Sequence, residues 1–283
     1  MGLAAAIDPG EALARLLRGY STEAIPRDLR SIAAAADLLA PGAEVFIAAV
    51  PGETPERMVE AARRLGRAGL TPVPHVTARS FASLDAADRF VGRLRDEAGV
   101  DRVLALGGDR DEPAGQLQSS QQLIESGVFE RRGLRRLFLA CYPEAHPRIS
   151  GEVLEQARAA KLRLAADQGL EVTLLSQFCF DADPIVALGK RLRTPYRIGV
   201  AGPADRATLI RYGLMCGIGP SLRALRRRQA LSLTLLSGET PEGLLAEVAA
   251  AQHLTPDPHL RGVHIFPFGG LARSAEWADG LRR

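Results

Sequence analysis

Cysteine, aromatic residues and long apolar runs are all scarce in this sequence. Its three cysteines, Cys141, Cys179 and Cys216, are scattered and odd in number. That excludes a disulfide framework, and without a CxxC pair or a His/Cys cluster at zinc spacing no metal site is expected. No apolar stretch reaches membrane-spanning length, so no membrane partner is expected. The first residues lack a basic start followed by an apolar block, which argues against a signal peptide and makes the cytoplasm the expected compartment. A charge of one sign is missing too: 36 Lys and Arg face 33 Asp and Glu, a net +3. Nucleic acid would need a concentrated basic face, so it is not an expected partner. Finally, no Gly-, Pro- or Ser-rich linker divides the chain. A single domain over residues 1–283 is expected, opened by a short helix within Met1–Arg18.

What is present is an alternation. Short apolar runs at Tyr20–Ala24, Glu44–Val50, Thr71–Val76, Arg102–Leu106, Leu137–Tyr142, Val172–Phe178, Arg197–Ala201 and Gly262–Phe268 read as strands. Several, such as VFIAAV and LFLACY, are nearly continuous in apolar residues, as strands buried on both faces must be. Between them, helical spacing marks Arg27–Leu39, Ser80–Ala98, Gln116–Phe129, Gly151–Gln168, Asp183–Leu192 and Asp205–Met215. Thr54 followed by Pro55 and Glu56 is a helix start with its cap and a proline at the first position. The stretch Pro220–Pro258 is longer than one helix needs and reads as two, Ser221–Ser232 and Pro241–His253. Eight strands, each followed by helix, in 283 residues predict an α/β fold of the (β/α)8 TIM-barrel type; an open doubly wound sheet is the alternative.

In such a barrel the chemistry sits at the C-terminal ends of the strands. Those ends carry Glu23, then His75 and Thr77, then Gly107-Gly108-Asp109, then Tyr142, Glu144 and His146, then Gln177 and Asp181. Each also has a plain structural reading. Glu23 can be a salt-bridged rim residue, His75 a satisfied core histidine, and Gly107-Gly108-Asp109 an ordinary turn. Gln177 is harder to dismiss, because an amide among Phe178, Cys179 and Phe180 must find a partner. The cluster Arg226–Arg228 reads as a helix C-terminus and Gly219–Arg223 as a helix cap, although the latter can also hold an anion.

The segments VLALGGD (Val103–Asp109), ACYPEAHP (Ala140–Pro147), SQFCFD (Ser176–Asp181), VPHVT (Val73–Thr77) and STEAIP (Ser21–Pro26) together resemble the methylenetetrahydrofolate reductase family, in order and approximate spacing. The chain resembles a short, divergent bacterial form without a regulatory domain. The resemblance implies hydride transfer between 5,10-methylenetetrahydrofolate and 5-methyltetrahydrofolate, through FAD, with NADH or NADPH as co-substrate. That is one-carbon chemistry of the kind that feeds methionine synthesis. It casts Glu23 as the general acid and Asp109 as the aspartate beside flavin and pterin. Gln177 becomes the folate-binding amide and Tyr212 the aromatic that stacks on folate or nicotinamide. His75, Leu106, Gly107, Gly108, Asp109, Ala140, Tyr142, His146 and Lys161 fall at flavin-binding positions. The pattern also departs from the family: Gly107 stands where an arginine usually meets the flavin, and Val50 where a threonine does. The helix Gly151–Gln168 offers Arg158, Lys161 and Arg163 in place of the usual acidic and Asn/Lys pattern. A flavin-independent or oxidatively running folate enzyme, and a non-catalytic folate-binding barrel, remain open. A homo-oligomer is compatible with each.

Overall fold

The computed structural model describes residues 8–144, 146–216 and 240–282. Eight strands form a closed barrel in sequential order: β1 (Ser21–Ala24), β2 (Glu44–Ile47), β3 (Thr71–Thr77), β4 (Arg102–Leu106), β5 (Arg136–Cys141), β6 (Glu171–Ser176), β7 (Tyr196–Ala201) and β8 (Leu260–Phe266). The pairs β1–β2, β2–β3, β3–β4, β4–β5 and β7–β8 are parallel. Among the described residues the helices are α1 (Pro9–Leu16), α2 (Leu29–Leu38), α3 (Pro55–Arg67), α4 (Leu84–Ala98), α5 (Ser120–Glu125), α6 (Val128–Arg131), α7 (Gly151–Asp167), α8 (Ala182–Arg191), α9 (Arg206–Met215), α10 (Glu242–Leu254) and α11 (Leu271–Gly280). The expected helix Ser221–Ser232, the segment Gly219–Arg223 and the cluster Arg226–Arg228 lie outside the described residues. Among the described residues no helix is long and apolar enough to cross a membrane.

All eight expected strands are present, with ends shifted by up to three residues; β2 stops at Ile47 rather than Val50. The last runs Leu260–Phe266 rather than Gly262–Phe268, because Pro267 cannot donate to a strand ladder. The stretch Gln116–Phe129, expected as one helix, is two. Gly127 adopts φ +68, a left-handed conformation that ends α5 and sets the start of α6. α11 was not marked in the sequence.

The chain packs as two compact units, residues 21–141 with 148–175, and residues 1–20, 142–147 and 176–283. In the first unit, Phe46, Val73, Leu104, Phe138 and Leu175 form an apolar cluster donated by five successive strands. Phe46 and Phe138 meet edge-on at 4.8 Å between centroids. These residues fix the parity of each strand: side chains two positions further on point the same way. α3 covers this sheet with Met58, Val59, Ala61, Ala62 and Leu65, all buried. It begins as its sequence predicts, with the Thr54 side chain accepting from Arg57 N. Each large apolar side chain so buried contributes roughly 1.5–3 kcal/mol.

In the second unit, α1 and α8 each pack on α10. Its strands hold a separate cluster of Phe178, Ala201, Ala204 and Leu209, against which Phe180, Tyr212, Phe266 and Phe268 pack. Gly199 is required here: any side chain on it would collide with the Ser176 carbonyl and the Phe266 ring. The close approach lets Gly199 N donate to Ser176 Oγ at 2.8 Å, inside the core.

Candidate active site at the strand ends

In the first unit, Glu23 is the penultimate residue of β1 and His75 lies near the end of β3. Alternate strands of a barrel send side chains into the same layer, so residues of β1 and β3 can meet across β2. They do: Glu23 Oε1 lies 3.0 Å from His75 Nε2, with the two side chains 15% and 12% exposed. On the other side of the ring, His75 Nδ1 accepts from Ala49 N at 3.4 Å. An acceptor Nδ1 places the neutral ring's proton on Nε2, the nitrogen nearest the carboxylate, and the pair is a close contact without hydrogen-bond alignment. The resemblance cast His75 as a flavin residue; the structure sets it against the candidate acid.

Leu106 and Ala140 follow the parity of Leu104 and Phe138, as the last residues of β4 and β5 on the cluster side. Beyond β4 comes Gly107, then Gly108 at φ +98, a conformation that favours glycine. A side chain at 107 would meet nothing nearer than Gln118 O at 4.0 Å. Asp109 follows and is exposed. The loop from Gly107 to Gly115 is tied to the turn Ala78–Ser80 at two points, Arg79 N to Gly107 O and Ala114 N to Arg79 O, each 2.9 Å. It closes on Gly115, where any side chain would collide with the Ala82 carbonyl.

Lys161, on α7, is half-buried, and no carboxylate lies within ion-pair distance among the described residues. Burial holds its ammonium below the usual lysine range. Nearby, burial pushes the Cys141 thiol up to about 12. Arg158, one turn away, pairs with Glu155, yet among the described residues its buried Nε has no acceptor. Cations without a full set of anionic partners are suited to phosphate oxygens.

In the second unit, Tyr142 and His146 meet edge-on at 5.0 Å. Gln177 follows β6, its Oε1 accepting from Phe178 N at 3.1 Å, which orients the amide and leaves its NH2 group as donor. Tyr212 stacks on Phe268 at 4.1 Å and 11°, with the Arg211 guanidinium 5.3 Å from its ring centre. Phe178 touches Phe180, Phe266 and Phe268 edge-on or tilted. Four of the chain's nine phenylalanines thus gather in one cluster that includes Phe178, the residue after Gln177. The sequence reading missed this cluster; its signals were the paired FCF and FPF motifs. It also missed Arg79 and the buried His264 of β8, which meets Phe266 edge-on at 4.7 Å.

No family model matches the chain. Among solved structures, an uncharacterized protein of Clostridium thermocellum, described as binding two copies of 5-methyl-5,6,7,8-tetrahydrofolic acid, aligns over 95% of this chain and 96% of its own. The TM-score is 0.58 and the identity 13%. A protein of Burkholderia cenocepacia J2315, provisionally assigned as a lyase/mutase, aligns over 96% and 86% at TM-score 0.47 and 14% identity. At such identities the likeness is one of fold.

Proposed function

We propose that this barrel binds a reduced folate at its strand ends and interconverts 5,10-methylenetetrahydrofolate and 5-methyltetrahydrofolate, as a methylenetetrahydrofolate-reductase-like oxidoreductase. The observation that carries the reading is the Glu23–His75 pair, a carboxylate and an imidazole 3.0 Å apart and mostly withdrawn from water. The family-like motifs at five strand ends support it, as does the shared fold of the folate-binding Clostridium thermocellum protein.

Reduction of the methylene carbon needs a proton for the ring nitrogen that leaves it. Glu23 is the donor. The Nε2 proton of His75 then stabilises the carboxylate that remains, and Ala49 N holds the ring in that tautomer. In the reverse direction the same carboxylate takes the proton back. The resemblance gives Gln177 a part in folate recognition as well, through the amide donors left over once its Oε1 accepts from Phe178 N.

FAD, when bound, supplies the hydride relay between nicotinamide and folate. Lys161 and Arg158, cations short of anionic partners, fit its phosphates, and the bare turn Gly107–Gly108 leaves room for a ring. NADH or NADPH is the co-substrate. Titration with 5-methyltetrahydrofolate, together with the absorption spectrum of the pure protein before and after NADH, tests the reading. Saturable folate binding and a flavin spectrum bleached by NADH are expected. Folate binding without flavin would leave the flavin-independent alternative, and no folate binding would sink the proposal.

A further inference from the structure

We propose that Arg79 is an oxyanion-binding residue, taking a phosphate or carboxylate oxygen of the ligand beside the Gly107–Gly108 turn. The inference rests on the strand-end location adopted above, but its geometry stands apart from the Glu23–His75 pair.

Arg79 sits in the single turn that follows β3, and its backbone is held on both sides by the Gly107–Gly115 loop. The base of the side chain is therefore fixed. The residue is half-buried. Among the described residues its guanidinium has one partner: Nη1 donates to the Arg110 carbonyl at 2.9 Å. Its Nε is out of contact with solvent and, among the same residues, has no acceptor. Acidic residues are close in sequence to that partner, namely Asp109, Asp111 and Glu112. Yet among the described residues none forms an ion pair with Arg79, and Asp111 pairs instead with Arg148 at 2.8 Å. A partly buried charge with only a carbonyl for company is incompletely compensated, and an incoming anion completes it.

The turn beside the base of the side chain is open at Gly107. Gly107 has no neighbour within contact of a would-be side chain except Gln118 O at 4.0 Å. At Gly108 the would-be side chain would sit 3.2 Å from Thr77 Cβ and 3.7 Å from Arg79 Cβ. Two glycines in succession keep side chains from the space beside the base of Arg79, so a ligand can approach the backbone of the turn from which the cation extends. The protons left unpaired on the guanidinium suit two oxygens of one oxyanion, which a lysine ammonium matches in charge but not in shape.

The test uses the full-length protein and two probes, inorganic pyrophosphate and p-aminobenzoylglutamate, titrated calorimetrically. Arg79→Gln keeps an N–H for the Arg110 carbonyl and removes the charge; Arg79→Lys keeps the charge. Thermal unfolding reports whether each variant is folded. The wild type should bind one probe, Arg79→Gln should weaken it about tenfold to a hundredfold, and Arg79→Lys should restore part of the loss. A loss confined to pyrophosphate identifies a phosphate; one confined to p-aminobenzoylglutamate identifies a carboxylate. Should the wild type bind neither probe, or should Arg79→Gln bind both as the wild type does, the inference is overturned. Pyrophosphate binding that depends on Arg79, in a protein that ignores 5-methyltetrahydrofolate, would sustain this inference while ending the folate reading.

Discussion

At the N-terminal ends of β2 and β4, Arg102 donates to Glu44 at 2.7 Å and to Asp101 at 2.8 Å; beside them Arg136 meets Glu171 at 3.0 Å. At the C-terminal ends of β1, β3 and β4, charge is arranged otherwise. Glu23 faces an imidazole, Arg79 holds a carbonyl, and Asp109 points to solvent. Both ends belong to the same unit, and β4 runs between them. At one end the charges neutralise each other within the protein, and their contribution is to the fold. At the other, among the described residues, Arg79 and Asp109 form no ion pair, an arrangement that costs stability and is retained where a ligand can supply what is missing. Burial works to lower the Arg102 value, but its bonds to Asp101 and Glu44 more than offset this and hold it raised; the bond from Arg102 holds Asp101 lowered.

The sharpest way to break the comparison is to neutralise one charge at each end. Glu23→Gln keeps the shape and removes the titrating proton. Folate-dependent turnover should fall about 10²–10⁴-fold, the usual range for one positioned proton donor, while reduction of bound flavin by NADH and the melting temperature stay nearly unchanged. Stopped-flow measurement of the two half-reactions checks this, and equal slowing of both would remove Glu23 from its role.

Arg102→Met should do the reverse, leaving binding of 5-methyltetrahydrofolate intact and lowering stability by about 2 kcal/mol. That is less than the cost of breaking a fully buried pair, because Asp101 is partly solvated. The sign with pH follows from Asp101. Its folded value is depressed, so its contribution is present above about pH 4, the unfolded value, and is lost as pH falls through the folded one. Urea titrations between pH 3 and 7 should show a flatter acid limb in the variant. A variant as stable as the wild type would mean that the lower cluster is ornamental.

The smallest effect is expected at Gln177. Gln177→Ala should weaken 5-methyltetrahydrofolate about tenfold to a hundredfold, the cost of one hydrogen bond to a buried polar group, and leave flavin content unchanged. Unchanged folate affinity with lost flavin would assign the amide to the other ligand.

The barrel was legible because β strands covered on both faces cannot hide: VFIAAV and LFLACY can be little else. The helix start at Thr54-Pro55 was equally plain, since capping is a local contract between neighbouring residues. The break at Gly127 had its signal in Ser126-Gly127, but helical periodicity overrode it. Strand-end candidates could be named one by one, whereas their partnerships could not. That Glu23 meets His75, 52 positions away in the sequence, depends on barrel layering, and that Arg79 reaches the Arg110 carbonyl depends on loop closure. Neither leaves a periodic trace. The aromatic gathering around Phe178 joins residues from separate stretches of chain, so composition alone, with aromatics at 5%, concealed it.

The stitching of the Gly107–Gly115 loop to the Ala78–Ala82 segment has a consequence for how this protein can change. The two are pinned through both backbone atoms of Arg79 and through the contact of Gly115 with Ala82. A residue inserted in one would pull its anchor points out of step with the other. The pair is therefore a single unit of inheritance: point substitutions along it leave the anchor points in step, but a change of length must be matched in both segments at once.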